Sequence, residues 1–393
     1  MTPGGREREK MTDVSIAPCA SYDRAEVKRA LRQVLEPLGG LDWVREGMTV
    51  AVKANLVAAL RPEKAATTHP AMLAALTELL RERGARVVIG DSPGGVFNII
   101  YVNRVYAAAG LKEAEEAGAE LNRDFTEKQS ANPEGRVLKE LTYTAWLDQA
   151  DAIIDFCKLK AHGMMGMSGA AKNMFGVVPG TMKPEYHFRF PDHEDFADMI
   201  VDLDERFRPR LCLADAVIGM EGNGPTAGTP RMLGFVAAAE SPHRLDQVCA
   251  GILGLEEDAL PTLRAAKRRG LIPPSAAQLT VSGDPAAFVA RGFRHVAETR
   301  SLLFAGDGKN PFLRVFSAFA GKALRTKPKV AKAECVGCGV CRNTCPAKAV
   351  TIVRGKAVID RSACIRCFCC QEFCPRGAMK VHRTLLARVA GRV

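Results

Sequence analysis

Eight of the thirteen cysteines fall into two copies of one spacing, and no other feature of the 393 residues constrains folding so tightly. The copies read CVGCGVCRNTCP, with Cys335, Cys338, Cys341 and Cys345, and CIRCFCCQEFCP, with Cys364, Cys367, Cys370 and Cys374. Each is C-x2-C-x2-C-x3-C-P. Short x2 spacings wrap three thiolates round one corner of an iron–sulfur cube. The cysteine after x3 starts a short helix pointing away, so its thiolate reaches the other cube, and the proline ends the loop. The ligand sets are therefore crossed: Cys335, Cys338, Cys341 and Cys374 for one [4Fe–4S] cluster, Cys364, Cys367, Cys370 and Cys345 for the second. Zinc usually takes two CxxC pairs rather than a repeated triplet with Cys-Pro, and disulfides are rare in a reducing compartment. Between the copies, AVTIVRGKAVID reads as a hairpin turning at Gly355. The result is a small α+β, bacterial-type two-cluster ferredoxin domain over 331–381. Cys369 exceeds the ligand count and reads as packing, as do the isolated Cys19, Cys157, Cys212 and Cys249.

Charge follows the cysteines. Residues 301–393 hold 18 Lys and Arg against 4 Asp and Glu, in a chain whose net charge is +11. A four-thiolate cluster is a net anion, so compensation explains the excess and nucleic acid is not needed as a partner. No apolar run spans a bilayer. Residues 1–11 read as a disordered leader without a secretory core, with Met11 as an alternative start, and the expected location is cytoplasmic. In 306–330, a basic linker, Phe312, Phe316, Phe319 and Ala320 share a helical face. Such a face docks on its own protein or lies on a membrane, leaving peripheral membrane contact open, and the basic tail 382–393 offers the same pair of readings.

Residues 12–305 alternate strand-like and helix-like segments, which predicts an α/β domain: a mainly parallel sheet with helices on both faces, with room for a split into two lobes near 150. In such sheets ligands bind beyond the carboxyl ends of the strands. Four loops fall there, the last three bearing glycine. The first carries Lys53, Asn55, Thr68 and His69 before Pro70, where backbone N–H groups could hold an anion. The second, GDSPGG, carries Asp91, Ser92, Gly94 and Gly95. The third, AHGMMGMSGAAKN, reads as a flexible loop with His162, Ser168, Gly169, Lys172 and Asn173, and runs on to His187. The fourth, DAVIGMEGNGPTAGTP, carries Asp215, Glu221 and Asn223. None matches a nucleotide motif in its required context. Met164, Met165, Met167 and Met174 read as gap fillers.

The stretches KANLV, TTHP, GDSPGG, KLKAHGMMGMSGAAKNMFGVVPG and MEGNGPTAGTP, followed by the paired cysteine motifs, together resemble domain-of-unknown-function family 362. That resemblance implies an iron–sulfur protein and names no reaction. More distantly, HGMMGMSGAAK with Pro179-Gly180 and His187 resembles the nickel-pincer-nucleotide lactate racemases. By position it implies cofactor attachment at Lys172, metal ligation at His187 and proton transfer at His162. The sequence departs at Ala170, where that family has glycine, and lacks a second catalytic histidine.

Three functions remain open on the sequence. The first is a reductase: Lys172 binds an anionic small molecule or cofactor, His162 or His187 supplies protons, and Asp91, Asp215 and Glu221 orient them or bind a divalent ion. The others are a non-catalytic electron-transfer or assembly module and a pincer-type isomerase. All but the last call for a redox partner of ferredoxin or flavodoxin type. The cysteine pattern predicts about eight irons per chain after anaerobic reconstitution; about four, by metal analysis, contradicts the crossed sets.

Overall fold

A computed structural model describes residues 12–295 and 327–382. The expectations for the leader, for 306–326 and for the tail beyond 382 lie outside these residues.

Apolar residues alternate along the strands and build two cores. On β9 (Leu211–Glu221), Leu211 and Leu213 enter one core, while Cys212, Ala214 and Ala216 enter the other. Strands buried on both faces suit a largely parallel sheet. Its centre is β2 (Thr49–Ala54), β3 (Arg86–Gly90) and β7 (Ala152–His162) with β9, all parallel. Outside them lie β4 (Glu120–Leu121), β10 (Thr229–Ala239), β1 (Val14–Pro18) and β11 (Val281–Ser282). The order is β11-β1-β10-β9-β7-β2-β3-β4, with β10 antiparallel to both neighbours. Strands from before and after residue 150 share this sheet, so it does not divide there. The helices α1 (Arg24–Leu35), α2 (Pro70–Arg81), α3 (Ile99–Ala108) and α4 (Lys112–Glu116) supply the first core. Helix α8 (Pro242–Ile252) supplies the second, and α7 (His193–Phe207) a third.

AHGMMGMSGAAKN is not a flexible loop. β7 runs to His162, a tight turn leads into the short β8 (Gly166–Ser168), which pairs back on β7, and one helical turn, α5 (Ala170–Asn173), follows. Gly166 takes a positive φ of 78°, and Gly169 lies so close to the Asp246 carboxylate that a side chain there would collide with it. The glycines permit close approach rather than motion.

The cysteine domain pairs β12 (Lys327–Val330) with β15 (Met379–His382), and β13 (Val350–Val353) with β14 (Lys356–Ile359) through a turn at Arg354-Gly355. It docks on the ends of β7 and β9. Gln371 donates to the Asn223 and Gly224 carbonyls at 3.0 and 2.7 Å, Asn223 bridges to Met379 and Val381, and the buried Phe368 joins Met164, Met165 and Phe175 in the third core. Gly163 allows this close fit, because a Cβ would stand 2.9 Å from Gln371 Oε1 and push that side chain aside. Replacing Gln371 by Ala leaves two carbonyls unpartnered. We expect a loss of about 1–3 kcal/mol in the chemical denaturation of the cluster-loaded chain; an unshifted midpoint would contradict this docking.

Candidate functional site

Past the ends of β2, β3 and β7 lies a cavity of about 810 Å³, closed on its far side by the cysteine domain. Asn55, Asp91, Ser92, Gly94, Gly95, His162, Ser168, Lys172 and Asn173, all expected from the sequence, line it. So do Lys64, Arg104, Lys160, Lys183, Glu372, Phe373, Arg376 and Lys380, which were not expected, and Cys374, expected only as a cluster ligand. Seven Lys and Arg thus face two carboxylates.

One carboxylate is already engaged. Asp91 pairs with the buried Lys53 at 2.9 Å and accepts the Leu56 and Ser92 N–H groups. Lys53 also donates to Asn173 Oδ1, which holds Asn55; Asn55 Oδ1 in turn accepts from Lys160 at 2.6 Å. Among the described residues Lys160 has no carboxylate partner, its other acceptor being the Ala66 carbonyl. Burial, then the charge of Lys172, brings its pKa down to about 7. Lys183 donates to the Ser92 carbonyl, and burial brings it down to about 8. Lys172 has no hydrogen-bond acceptor among the described residues. Its ammonium lies 4.6 Å from the centre of the Phe175 ring, and burial lowers its pKa against the pull of Glu372.

His162 Nδ1 accepts from the Met164 and Met165 N–H groups, both at 3.1 Å, so the proton of the neutral ring belongs on Nε2. Nε2 lies 3.0 Å from Glu372 Oε1, although neither atom has a well-aligned hydrogen bond. Burial lowers the His162 pKa. Burial alone would raise Glu372, but His162 and Lys172 outweigh it and hold the carboxyl at about 2. His162 therefore orients Glu372 and is poorly placed to become a cation.

Other expectations need correction. His187 does not line the cavity: it stacks on Phe196 at 4.4 Å, behind Phe175, and burial holds it at about 3. Glu221 is bound by Arg294, and Asn223 clips the cysteine domain. Thr68 pins its loop to the Phe156 carbonyl. The start of α2 holds the protein's own anion, since Asp215 accepts the His69 N–H, and Lys158 and Tyr22 also bind Asp215. Asp246 likewise takes the Ala170 and Ala171 N–H groups at the start of α5, beside Gly169. Among the described residues no three His, Cys, Asp or Glu side chains form a single-ion cage, so Asp91, Asp215 and Glu221 give a divalent ion no site.

The cysteines fit the cuboidal cluster. Cys335, Cys338, Cys341 and Cys374 surround one small cavity. Burial raises the Cys341 thiol, and Cys374, Cys335 and Cys338 raise it further; burial and then Cys367, Cys364 and Cys345 do the same to Cys370. Cationic iron relieves that repulsion. N–H groups four residues on point at Cys345 and Cys374, each at 3.2 Å. Cys369 is fully buried against Cys367. The wall Val340, Cys374, Pro375 and Arg376 belongs both to the first cysteine cavity and to the large basic one.

Comparison with known proteins agrees with this division. Residues 50–251 match the profile described as Domain of unknown function (DUF362), and residues 327–375 match that of a 4Fe-4S dicluster domain. The chain belongs to the DUF362 family. It is 35% identical to a thylakoid-associated protein of Synechocystis sp. over 274 residues, covering 68% of this chain and 82% of that one. The lactate racemase apoprotein of Thermoanaerobacterium thermosaccharolyticum aligns over 62% of this chain and 57% of its own, at 12% identity and a TM-score of 0.37. That is too little to argue from, and His187, which the racemase resemblance would make a metal ligand, is sealed off. No helix among the described residues is long and apolar enough to cross a membrane.

Two lysines separate architecture from ligand binding. Lys53→Met strands the buried Asp91 and is expected to cost about 3–5 kcal/mol. Lys172→Met gives up no hydrogen bond but removes a charge that keeps Glu372 ionised, and is expected to cost clearly less than Lys53→Met, about 1–2 kcal/mol. Equal losses in chemical denaturation would show Lys172 to be structural.

Proposed function

We propose that this DUF362 protein is a reductase that passes electrons from two [4Fe–4S] clusters to an anionic small molecule in the basic cavity. The observation that carries the reading is the shared wall: Cys374, a ligand of the first set, lines the cavity that Lys160, Lys172 and Lys183 make positive. When bound, each cluster supplies one electron at a time. The chain's own residues do the rest. Lys172, unbonded and aimed into the cavity, receives the anion. Lys160 and Lys183 lose a proton near neutral pH and so replace protons that the reduced ligand takes up. His162 positions Glu372. Phe373 and Phe175 give the ligand apolar walls. A two-electron reduction takes two electrons in succession from an external redox carrier. The thylakoid association of the relative supports peripheral contact with a membrane, and the location that goes with it is cytoplasmic.

Reduced, cluster-loaded protein should be reoxidised by the ligand recovered from anaerobically purified material. In Lys172→Ala, this reoxidation should slow at least about tenfold, equal to about 1.4 kcal/mol, with iron content unchanged. Reoxidation at the parental rate would sink the proposal. The lysines also set a pH dependence. Their protonated, anion-binding forms prevail below about 7 for Lys160 and about 8 for Lys183. Ligand affinity should therefore be highest below pH 7 and fall as pH rises through 7–8; calorimetry showing affinity flat or rising there would contradict the assignment.

A further inference from the structure

The two cysteine copies are related by sequence but not by surroundings. Val336, Cys338 and Gly339 of the first copy correspond to Ile365, Cys367 and Phe368 of the second. In the second copy Cys367 and Phe368 are buried, and Phe368 is packed in the core of the α/β domain. In the first copy Val336 is 60% exposed, and Cys338 is exposed whereas every other cysteine is buried or half-buried; Gly339, in the place of Phe368, is buried and brings no side chain. The hairpin turn lies against this loop, with Lys356 donating to the Cys335 carbonyl at 2.6 Å, and it adds Val353, 50% exposed. The rim is basic. Residues 331–358 hold Lys332, Arg342, Lys348, Arg354 and Lys356 against one acid, Glu334, which Lys380 already pairs at 2.7 Å.

We infer that this face docks an acidic one-electron carrier protein and is where electrons enter the chain. The inference deepens the reductase reading by naming the partner's class and its surface. A small apolar centre with a one-signed rim suits brief electron-transfer encounters, in which charge steers the approach and little area is buried. Where the second copy packs Phe368 on the α/β domain, the first leaves Val336 and Cys338 exposed for a second protein. The transfer balances simply: the carrier is oxidised by one electron, the Cys335, Cys338, Cys341 and Cys374 centre is reduced by one, and no bond forms. Because Cys374 also lines the basic cavity, this centre has both an entry and an exit.

The test uses the full, cluster-loaded chain and oxidised flavodoxin, an acidic one-electron carrier, in calorimetric titrations at low and high salt. The parent should bind at low salt and weaken steeply as salt rises. Lys332→Glu with Arg354→Glu should weaken binding at least about tenfold, while Lys112→Glu, on the distant α4, stays within about twofold and dithionite reduces all three proteins alike. No binding by the parent at low salt, or equal binding by parent and double variant, overturns the inference. Dithionite bypasses this face, so reoxidation of dithionite-reduced protein by the cavity ligand tests the reductase reading independently of carrier docking.

Discussion

One carboxylate ties the two halves of the molecule together. Glu372 sits between Cys370 and Cys374, yet its charge is balanced by the α/β domain, by His162 at the end of β7 and by Lys172 on α5. An ionised carboxylate at such depth depends on a neighbouring positive charge, here Lys172, and on the polar contact with neutral His162. Gln371 beside it fills the carbonyls of the loop after β9, and Phe373 fits against Gly94, where a Cβ would come within 2.7 Å of the ring. Three consecutive residues of the x3 spacing thus fix the cysteine domain at the mouth of the sheet. The cavity exists because of this contact.

The cavity's chemistry follows from how its charges are distributed. Lys53 and Lys158 also lie at the strand ends, but Asp91 and Asp215 neutralise them, and they hold loops in place. Among the described residues Lys160 and Lys183 pair with no carboxylate, and Lys172 makes no hydrogen bond to one, Glu372 acting on it only through charge. Bringing cations close together without counterions is costly in a low-dielectric site, and burial accordingly lowers the pKa of all three. An arrangement that strains its own lysines in this way is suited to an incoming anion.

Much of this was legible in the sequence for definite reasons. Cysteine spacing is geometric, so the 4Fe-4S dicluster domain could be read directly, and the alternation of buried strands and amphipathic helices pointed to the α/β sheet. The strand-end rule found Asn55, Asp91, Ser92, Lys172 and Asn173. It could not separate residues facing the cavity from those turned to internal partners, so it also chose Glu221, Asn223, Thr68 and His187. Glycine was misread in AHGMMGMSGAAKN, where close packing against Asp246 and Gln371, rather than flexibility, demands it. Lys160 had a visible signal: Lys158, Lys160 and His162 alternate on one face of a strand that is otherwise apolar but for Asp155, which is unusual for a buried segment. Glu372 and Phe373 had none, because their role depends on where the second motif docks.

The most direct test of an anion beside the Cys374 centre is pulsed electron-nuclear double resonance on reduced, cluster-loaded protein with inorganic phosphate shown by calorimetry to be bound. The account predicts a phosphorus hyperfine coupling to a cluster signal, lost in the Lys172→Ala protein. Bound phosphate with no such coupling would place the anion elsewhere and break the link between cavity and cluster.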